Sequence, residues 1–531
     1  MNVQASERPL VLFRTIPGSS LRRTLAGLAL IVALGLCACG KRDAPETQPA
    51  DEPSESTIVA VLFFQNQDPH PDTDWIGRGI AQLLSMRLEQ HDRLDVVRYS
   101  RLETALRSMG RTDSAELTEK TLLEAARRTE AARAVLGDYR ISAGQFLINA
   151  RLVDVVSGAL VAEKQVQGLG PQNLYQMADQ IAGTLSDGFG IAVAQRKAGT
   201  ESTGDLTAYE AFIRAQEAFR RFDTSKGMAL LNRSVTRDTN FTLAYASQAI
   251  QAYSIGDLPR ATAAVRHASS HPERLSEPER LMIEAIRDHL FGKYEQGFKT
   301  LERLRNTIRP DPEIYLVLAQ MFYTIQDHAS AEKIYQDLLR QDPNNVVAHI
   351  MLGLNQLELE LPDLAQSELE EALRLKPDHP YAHIAMSRIN AYQGNLEEAE
   401  HQLHEASRLD PEDPWIHNQL GYFYLSQNKL ETALKEFKRY VELAPDDPNA
   451  HDSLAEGYLR NGNKSMAEKE YLLALKLKPD FDNPHFMLGR MYEDRGETQK
   501  AVRMFQRYLQ INPRGPMAKE AEVRLEAIGN R

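Results

Sequence analysis

A fixed 34-residue period constrains this chain more than any other feature. Pro343, Pro377, Pro411, Pro445, Pro479 and Pro513 stand 34 residues apart without slippage, and Ala331, Ala365, Ala399, Ala433, Ala467 and Ala501 keep the same interval. A strict period of that length marks stacked repeats, each of which buries its apolar face only against its neighbours. Such arrays present long binding surfaces and seldom carry chemistry. The period points to binding.

Within one period the pattern is two amphipathic helices. Small residues (Ala319, Gly353, Ser387, Gly421, Ala455 and Gly489) recur in the first helix, and the periodic alanines recur in the second. Both sets mark places where helices approach closely. The periodic proline ends the second helix, because it lacks an N–H and its ring clashes with the previous turn. Pro312, Pro380, Pro414 and Pro448 suit the first position of the following helix, with Asp311, Asp413 and Asp447 as N-caps. This pattern resembles the tetratricopeptide repeat. Tyr424, Tyr458 and Tyr492 match its Tyr, and Phe437, Tyr471 and Phe505 match its Phe. The initial aromatic is Tyr315 once and then His349, His383, His417, His451 and His485. The resemblance extends back through Gly297, Ala261 and Ala229 with drifting intervals. It implies nine repeats over residues 205–515 and a capping helix over 516–531. The expected fold is mainly α, a tetratricopeptide-repeat solenoid preceded by a small α/β domain.

The periodic histidines invite a metal reading. A tetrahedral site needs ligands about 2 Å from one ion, and residues one repeat apart cannot supply that. Packing is the expected role, and no metal site or cofactor is expected.

Charge narrows the partners. The 531 residues carry 62 basic and 74 acidic side chains, a net charge of −12. Between Gln341 and Arg460 there are 22 acidic and 9 basic residues, so 9 − 22 = −13 accounts for the whole excess. An acidic face repels phosphate backbones, and nucleic acid is not expected as a partner.

The N-terminus reads as an export signal. Arg14, Arg22 and Arg23 precede the apolar run Leu25 to Leu36, which is too short to cross a hydrocarbon core of about 30 Å as a helix. Leu36-Cys37-Ala38-Cys39 resembles the bacterial lipobox. That resemblance implies a signal peptide over 1–38, lipidation of Cys39 and membrane attachment through N-terminal acyl chains, and Gly40 favours the outer membrane. Residues 39–57 form the acylated end and a Pro-rich acidic tether. Both cysteines lie in the signal, which leaves no thiol in the body of the chain.

Between tether and repeats the period changes. Ile58 to Phe64 is a buried-strand run. A helix from Trp75 to about Gln90, capped by Asp74, is followed by a strand at Leu94–Arg98 and helices near 101–109 and 119–129. A hairpin follows over 132–141 and 146–155, then a strand at 160–166 and a helix near 174–185. This order resembles the small domain shared by the N-terminal part of TolB, curli-secretion lipoproteins and flagellar lipoproteins of the FlgO kind. Val59-Ala60-Val61, Phe64, Asn66, Gly79, Leu83-Leu84, Val96-Val97-Arg98, Gly137, Ala150 to Asp154 and Gly158 carry the resemblance. It implies an envelope protein–protein module over 58–190, joined to the repeats by a linker over 191–204. Asp68, His70, Asp72 and Asp74 alternate as metal ligands could, but with Pro69 and Pro71 they suit a strand-to-helix loop better. Gly77-Arg78-Gly79 lacks the context of a nucleotide loop, and no HExxH, GxSxG or P-loop is present.

In tetratricopeptide repeats the groove is lined by set positions of the first helix. Carried onto this sequence they select Val347, Ile350, Met351, Leu354, Tyr381, Ile384, Tyr392, Trp415, Asn418, Gln419 and Tyr422. The Lys and Asn pattern that clamps a C-terminal carboxylate is missing, so an apolar or aromatic peptide with basic flanks is expected. Together these features describe a lipid-anchored, periplasm-facing, non-enzymatic scaffold of the bacterial envelope, in assembly or secretion, whose partner is a protein or peptide there. The alternative is an enzyme or enzyme regulator with unrecognised activity in the α/β domain.

Overall fold

The apolar run after the tether becomes strand β1 (Thr57–Val61), and Leu62, Phe63 and Phe64 continue it buried. The computed structural model describes residues 56–68, 70, 72–91, 93–110, 117–142, 145–190, 203–307, 311–513 and 515–529. The signal segment, Cys39, nearly all of the tether and linker residues 191–202 lie outside them. The described residues form two units, one running from β1 to Asn355 and the other from Gln356 to the last helix, with Thr324–Gln326 grouped in the latter.

In the first unit β1, β2 (Gln65–Asn66), β3 (Leu94–Val96), β4 (Arg133–Ser142), β5 (Gln145–Asp154) and β6 (Leu160–Gly168) form a mixed sheet of order β3-β1-β4-β5-β6, with β2 also pairing to β4. Strand β1 runs parallel to β3 and to β4. Strands β4, β5 and β6 form an antiparallel meander. A strand with neighbours on both edges and helices over it must be apolar throughout, and Val59, Ala60 and Leu62 are fully buried. The helix Ile76–Leu88 packs its Ile80, Leu83, Leu84 and Leu88 face inward. Its N-cap is Trp75 and makes no side-chain cap. Asp74 instead accepts from Asn66 Nδ2 at 3.3 Å, so the expected Asp74 cap is replaced by a loop-bracing contact. Helices Tyr99–Ser108, Glu119–Arg128 and Leu174–Gly188 complete the domain.

The rest of the chain is mainly α, a solenoid of nine helix pairs among the described residues. In order the pairs are Leu206–Arg220 with Thr224–Arg237, Thr242–Ser254 with Leu258–Ala268, and Glu277–Leu290 with Tyr294–Thr307. Next come Pro312–Thr324 with His328–Gln341, Val346–Glu358 with Pro362–Leu375, and Pro380–Gln393 with Leu396–Leu409. The last are Pro414–Ser426 with Leu430–Leu443, Pro448–Arg460 with Lys464–Leu477, and Asp482–Asp494 with Thr498–Ile511, closed by Ala518–Gly529. Four first helices start at a proline whose missing N–H costs nothing there. Asp413 and Asp447 accept from Trp415 N and Asn449 N as N-caps, at 2.8 and 2.9 Å.

One regularity escapes the sequence pattern. Between the two helices of every pair stands one residue of positive φ: Phe222, Gly256, Gly292, Gln326, Glu360, Gly394, Asn428, Gly462 and Gly496, from 55° to 85°. Four of these are not glycine and hold a conformation that costs an L-residue roughly 1–2 kcal/mol. The turn geometry therefore belongs to the repeat rather than to any residue type. The small positions mark helix crossings: a Cβ on Gly421 would come within 2.4 Å of the Phe437 ring.

Candidate functional site

In the first unit the α/β domain lies on the face made by the first helices of repeats one to five. All five helices, or the residues just before them, line a cavity of about 200 Å³ opposite the helices Ile76–Leu88 and Tyr99–Ser108. One end of this contact is apolar. Tyr209 is fully buried, with Trp75 and Tyr175 ring centroids at 6.2 and 5.6 Å, and its hydroxyl donates to the Gly79 carbonyl at 2.9 Å.

The other end is ionic. Arg98 Nε lies 3.1 Å from Asp311 Oδ2, and its Nη2 lies 3.2 Å from Glu313 Oε2. Ser100 Oγ donates to the same Asp311 oxygen at 2.7 Å. Arg107 Nη2 donates to Asp342 Oδ2 at 2.6 Å and stacks over Phe222, with both side chains of the ion pair buried. Arg78 pairs with Glu217 at 2.7 Å, and Arg220 approaches Glu103 at 3.8 Å. Asp311 stands just before its helix, where the N-terminal dipole favours negative charge, and its side chain is wholly buried.

These charges shift their acids. Burial, reinforced by Glu279 and opposed by Arg98, pushes the Glu89 carboxyl up to about 8. Burial and the neighbouring Asp311 push Glu313 to about 7. Burial also raises Glu103, against the pull of Arg220. Displaced carboxyls mark active sites and structural ion networks alike. Here Glu103 and Glu313 each face an arginine across the contact, the arrangement of a docking surface. The sequence marked Asp311 only as an N-cap and Arg98 only as part of the FlgO-like resemblance, and none of the pairings was foreseen, because each joins residues far apart in the chain.

The expected groove residues divide. Val347 lines the cavity, and Leu354 is half-buried. Ile350, Met351, Ile384 and Gln419 are at most 8 % exposed and Tyr381 is 9 % exposed, so they pack between helices and offer little surface. Trp415, Asn418 and Tyr422 are half-buried, and Tyr392 is 43 % exposed. The Tyr381 and Trp415 rings lie 5.3 Å apart across adjacent repeats, and the Tyr381 hydroxyl donates to Asp413 at 2.6 Å. Tyr422 reaches Ser453 and Glu456 of the next repeat, at 3.2 and 3.5 Å. The expectation of an open line of side chains thus narrows to an aromatic ledge of Trp415, Tyr422 and Tyr392. Ile350, Met351, Ile384 and Gln419 face inward too squarely to stay open.

The five periodic histidines share one bond. Nε2 of His349, His383, His417, His451 and His485 each faces the proline carbonyl six residues earlier, at 2.9 to 3.1 Å. Each imidazole therefore satisfies an orphan carbonyl at the end of the preceding repeat. His417 also places Nδ1 2.8 Å from Glu436 Oε2. Carbonyl and carboxylate both only accept, so the ring can donate to both only in its protonated form. Burial lowers the His417 imidazole, but the Glu436 carboxylate and the Pro411 carbonyl outweigh it and raise it above its usual value. A raised folded-state value stabilises fully below the unfolded value of about 6.5 and is lost as pH rises through the folded one. We expect His417→Gln to remove a fall in melting temperature that the wild-type protein shows above about pH 6.5; an unchanged pH profile would count against the ion pair.

Among the described residues no group of three or more His, Cys, Asp or Glu side chains is disposed to hold a metal. In the Asp68–Asp74 loop, the Thr73 and Asp74 amides donate to the His70 carbonyl at 2.9 and 3.2 Å. No described helix is long and apolar enough to cross a membrane.

A helical-repeat solenoid with a small mixed-sheet domain on its first-helix face defines a class of interaction protein. The tetratricopeptide-repeat family matches residues 326–389, 391–457 and 485–516, and the FlgO protein family matches residues 46–167. The chain therefore carries tetratricopeptide repeats and an N-terminal FlgO domain. No curated protein matches the sequence. Among solved structures, the APC/C hetero-tetramer Cut9-Hcn1 aligns at 17 % identity over 60 % of this chain and 63 % of that one, with a TM-score of 0.38. This chain therefore spans less than two thirds of that relative. The human IFIT1 dimer with PPP-AAAA aligns at 18 % identity over 60 % and 81 % of the two chains, with a TM-score of 0.41. MamA aligns at 23 % over 30 % and 94 %, with a TM-score of 0.26. Likenesses at such TM-scores carry no argument here.

Proposed function

We propose that this chain, whose repeats support a protein–protein interaction scaffold, is a lipid-anchored scaffold of the bacterial envelope, without catalysis, that holds a protein segment on the aromatic ledge of repeats six and seven. The ledge carries this reading. Trp415 is half-buried over Tyr381, with Tyr422 on the same helix, in a stretch with 22 acidic against 9 basic residues. Aromatic anchors of this kind dominate interface energies, and truncating one costs ~2 kcal/mol or more. The acidic surroundings favour a partner with basic flanks and disfavour nucleic acid. Trp415→Ala is expected to lose the partner recovered with the wild-type chain from solubilised membranes while melting at nearly the same temperature. Destabilisation with binding intact would refute the ledge.

The anchor rests on Leu36-Cys37-Ala38-Cys39, with Gly40 favouring the outer membrane and the body facing the periplasm. More than one acyl chain gives stable attachment. Cys39→Ser is expected to abolish incorporation of a fatty-acid analogue and move the protein from membrane to soluble fraction. Persistent label in the membrane would place the anchor elsewhere.

A further inference from the structure

We propose that the acidic face at the starts of repeats three to five is a receptor for arginine side chains of a partner segment, and that Arg98 and Arg107 of the α/β domain occupy it as an intramolecular competitor. Three features of the contact lead there. The first is the fit to guanidinium. Asp311 takes Nε of Arg98 and Glu313 takes Nη2, from two sides of one planar fork. A lysine ammonium is a compact point charge and offers no such planar fork. Arg107 meets a second carboxylate, Asp342, which the Asn345 side-chain amide holds at 3.1 Å, while Phe222 supports the guanidinium face from 5.3 Å.

The second is the charge balance. Glu279, Asp311 and Glu313, all from the repeats, act on the single Arg98 guanidinium, and Glu89 adds a fourth carboxyl from the α/β domain. The repeats alone are strongly acidic at this place and keep their attraction for a cation when the domain lifts away. Burial raises Glu313 to about 7 and Glu89 to about 8, so docking desolvates carboxyls that water holds more comfortably.

The third is the division of the contact into an anchor and a latch. The apolar anchor at Tyr209, Trp75 and Tyr175 lies on the first repeat. The ionic latch lies on the fourth and fifth, and the cavity of about 200 Å³ opens beside it. There Arg98 Nη1 and Arg107 Nε are buried without a hydrogen-bond partner. Orphaned donors of that kind make the intramolecular occupant an imperfect one, which a partner segment free to adjust its backbone can outcompete.

The test uses the full-length chain and a fluorescein-labelled peptide copying residues 97–108, which carries Arg98, Arg101 and Arg107. Fluorescence anisotropy should show weak binding to the wild-type chain and at least ten-fold tighter binding to Arg98→Ala/Arg107→Ala. Adding Asp311→Asn to that variant should return the affinity to the wild-type level. Equal affinity for wild type and double variant overturns the proposal, as does tight binding indifferent to Asp311. If the double variant melts without cooperativity, Arg98→Lys replaces it. That variant keeps the charge but gives up the planar fork that matches the two carboxylates, and about three-fold tighter peptide binding is expected. An unchanged affinity again overturns the proposal. Trp415 plays no part in this site, so failure here leaves the aromatic ledge standing and failure of the ledge leaves this site standing.

Discussion

Gly77→Ala is expected to unseat the first helix of the α/β domain and lower its stability by ~1–3 kcal/mol or more. A Cβ at that position would stand 2.0 Å from the Phe64 carbonyl oxygen and 3.1 Å from the Tyr139 ring. The obstacle is backbone, which cannot rotate aside. The Gly77 carbonyl also accepts from Phe64 N at 3.2 Å, so helix and strand end are tied at the point of closest approach. Displacing the helix also pulls Arg78 from Glu217, weakening the contact with the first repeat. Gly79→Ala is the control. Its Cβ would meet the Trp75 and Tyr209 side chains at 3.1 to 3.3 Å, which can yield. Urea denaturation should rank Gly77→Ala as much the worse of the two; equal effects would mean that the helix tolerates a shift there.

The second large effect is expected at the Arg107–Asp342 pair. With both side chains buried, removing one partner leaves an uncompensated charge, and Asp342→Ala should cost about 3–5 kcal/mol. Replacing both members together, as Arg107→Met with Asp342→Leu, should recover most of that loss, because a buried ion pair gains little over well-packed apolar groups. The exposed neighbour pair Arg340–Asp337 makes the contrast, and its removal should change stability by less than ~1 kcal/mol. A double-mutant cycle followed by denaturant melts measures both. A small cost at Asp342 would show that water reaches this end of the contact freely and that the latch is looser than its geometry.

Much of the fold was legible because its causes are local. A proline placed 34 residues from the last stops a helix wherever it occurs, and an alanine or glycine at a crossing admits a neighbour whatever lies beyond. The same holds for β1, whose unbroken apolar run demands cover on both faces. Smaller errors had local competitors: Asp74 looked like a cap, but the nearby Asn66 amide claims its carboxylate. The groove residues were read from position within the helix alone. That rule does not contain the packing that leaves Ile350, Met351 and Ile384 at most 4 % exposed.

By itself the sequence determined the repeat, the order of strands and helices in the α/β domain apart from the two-residue β2, and the placement of small and aromatic residues that lets each helix pair close on the next. These follow from periodicity and sterics within a few turns of chain. Only the tertiary structure decided where the α/β domain rests and what holds it. Arg98 and Asp311, or Arg107 and Asp342, stand more than two hundred residues apart. Singly, Asp311 reads as a helix cap and the others as solvated charges. Their meaning comes from burial, which turns a surface charge into one that must find its opposite, and burial is a property of the folded chain.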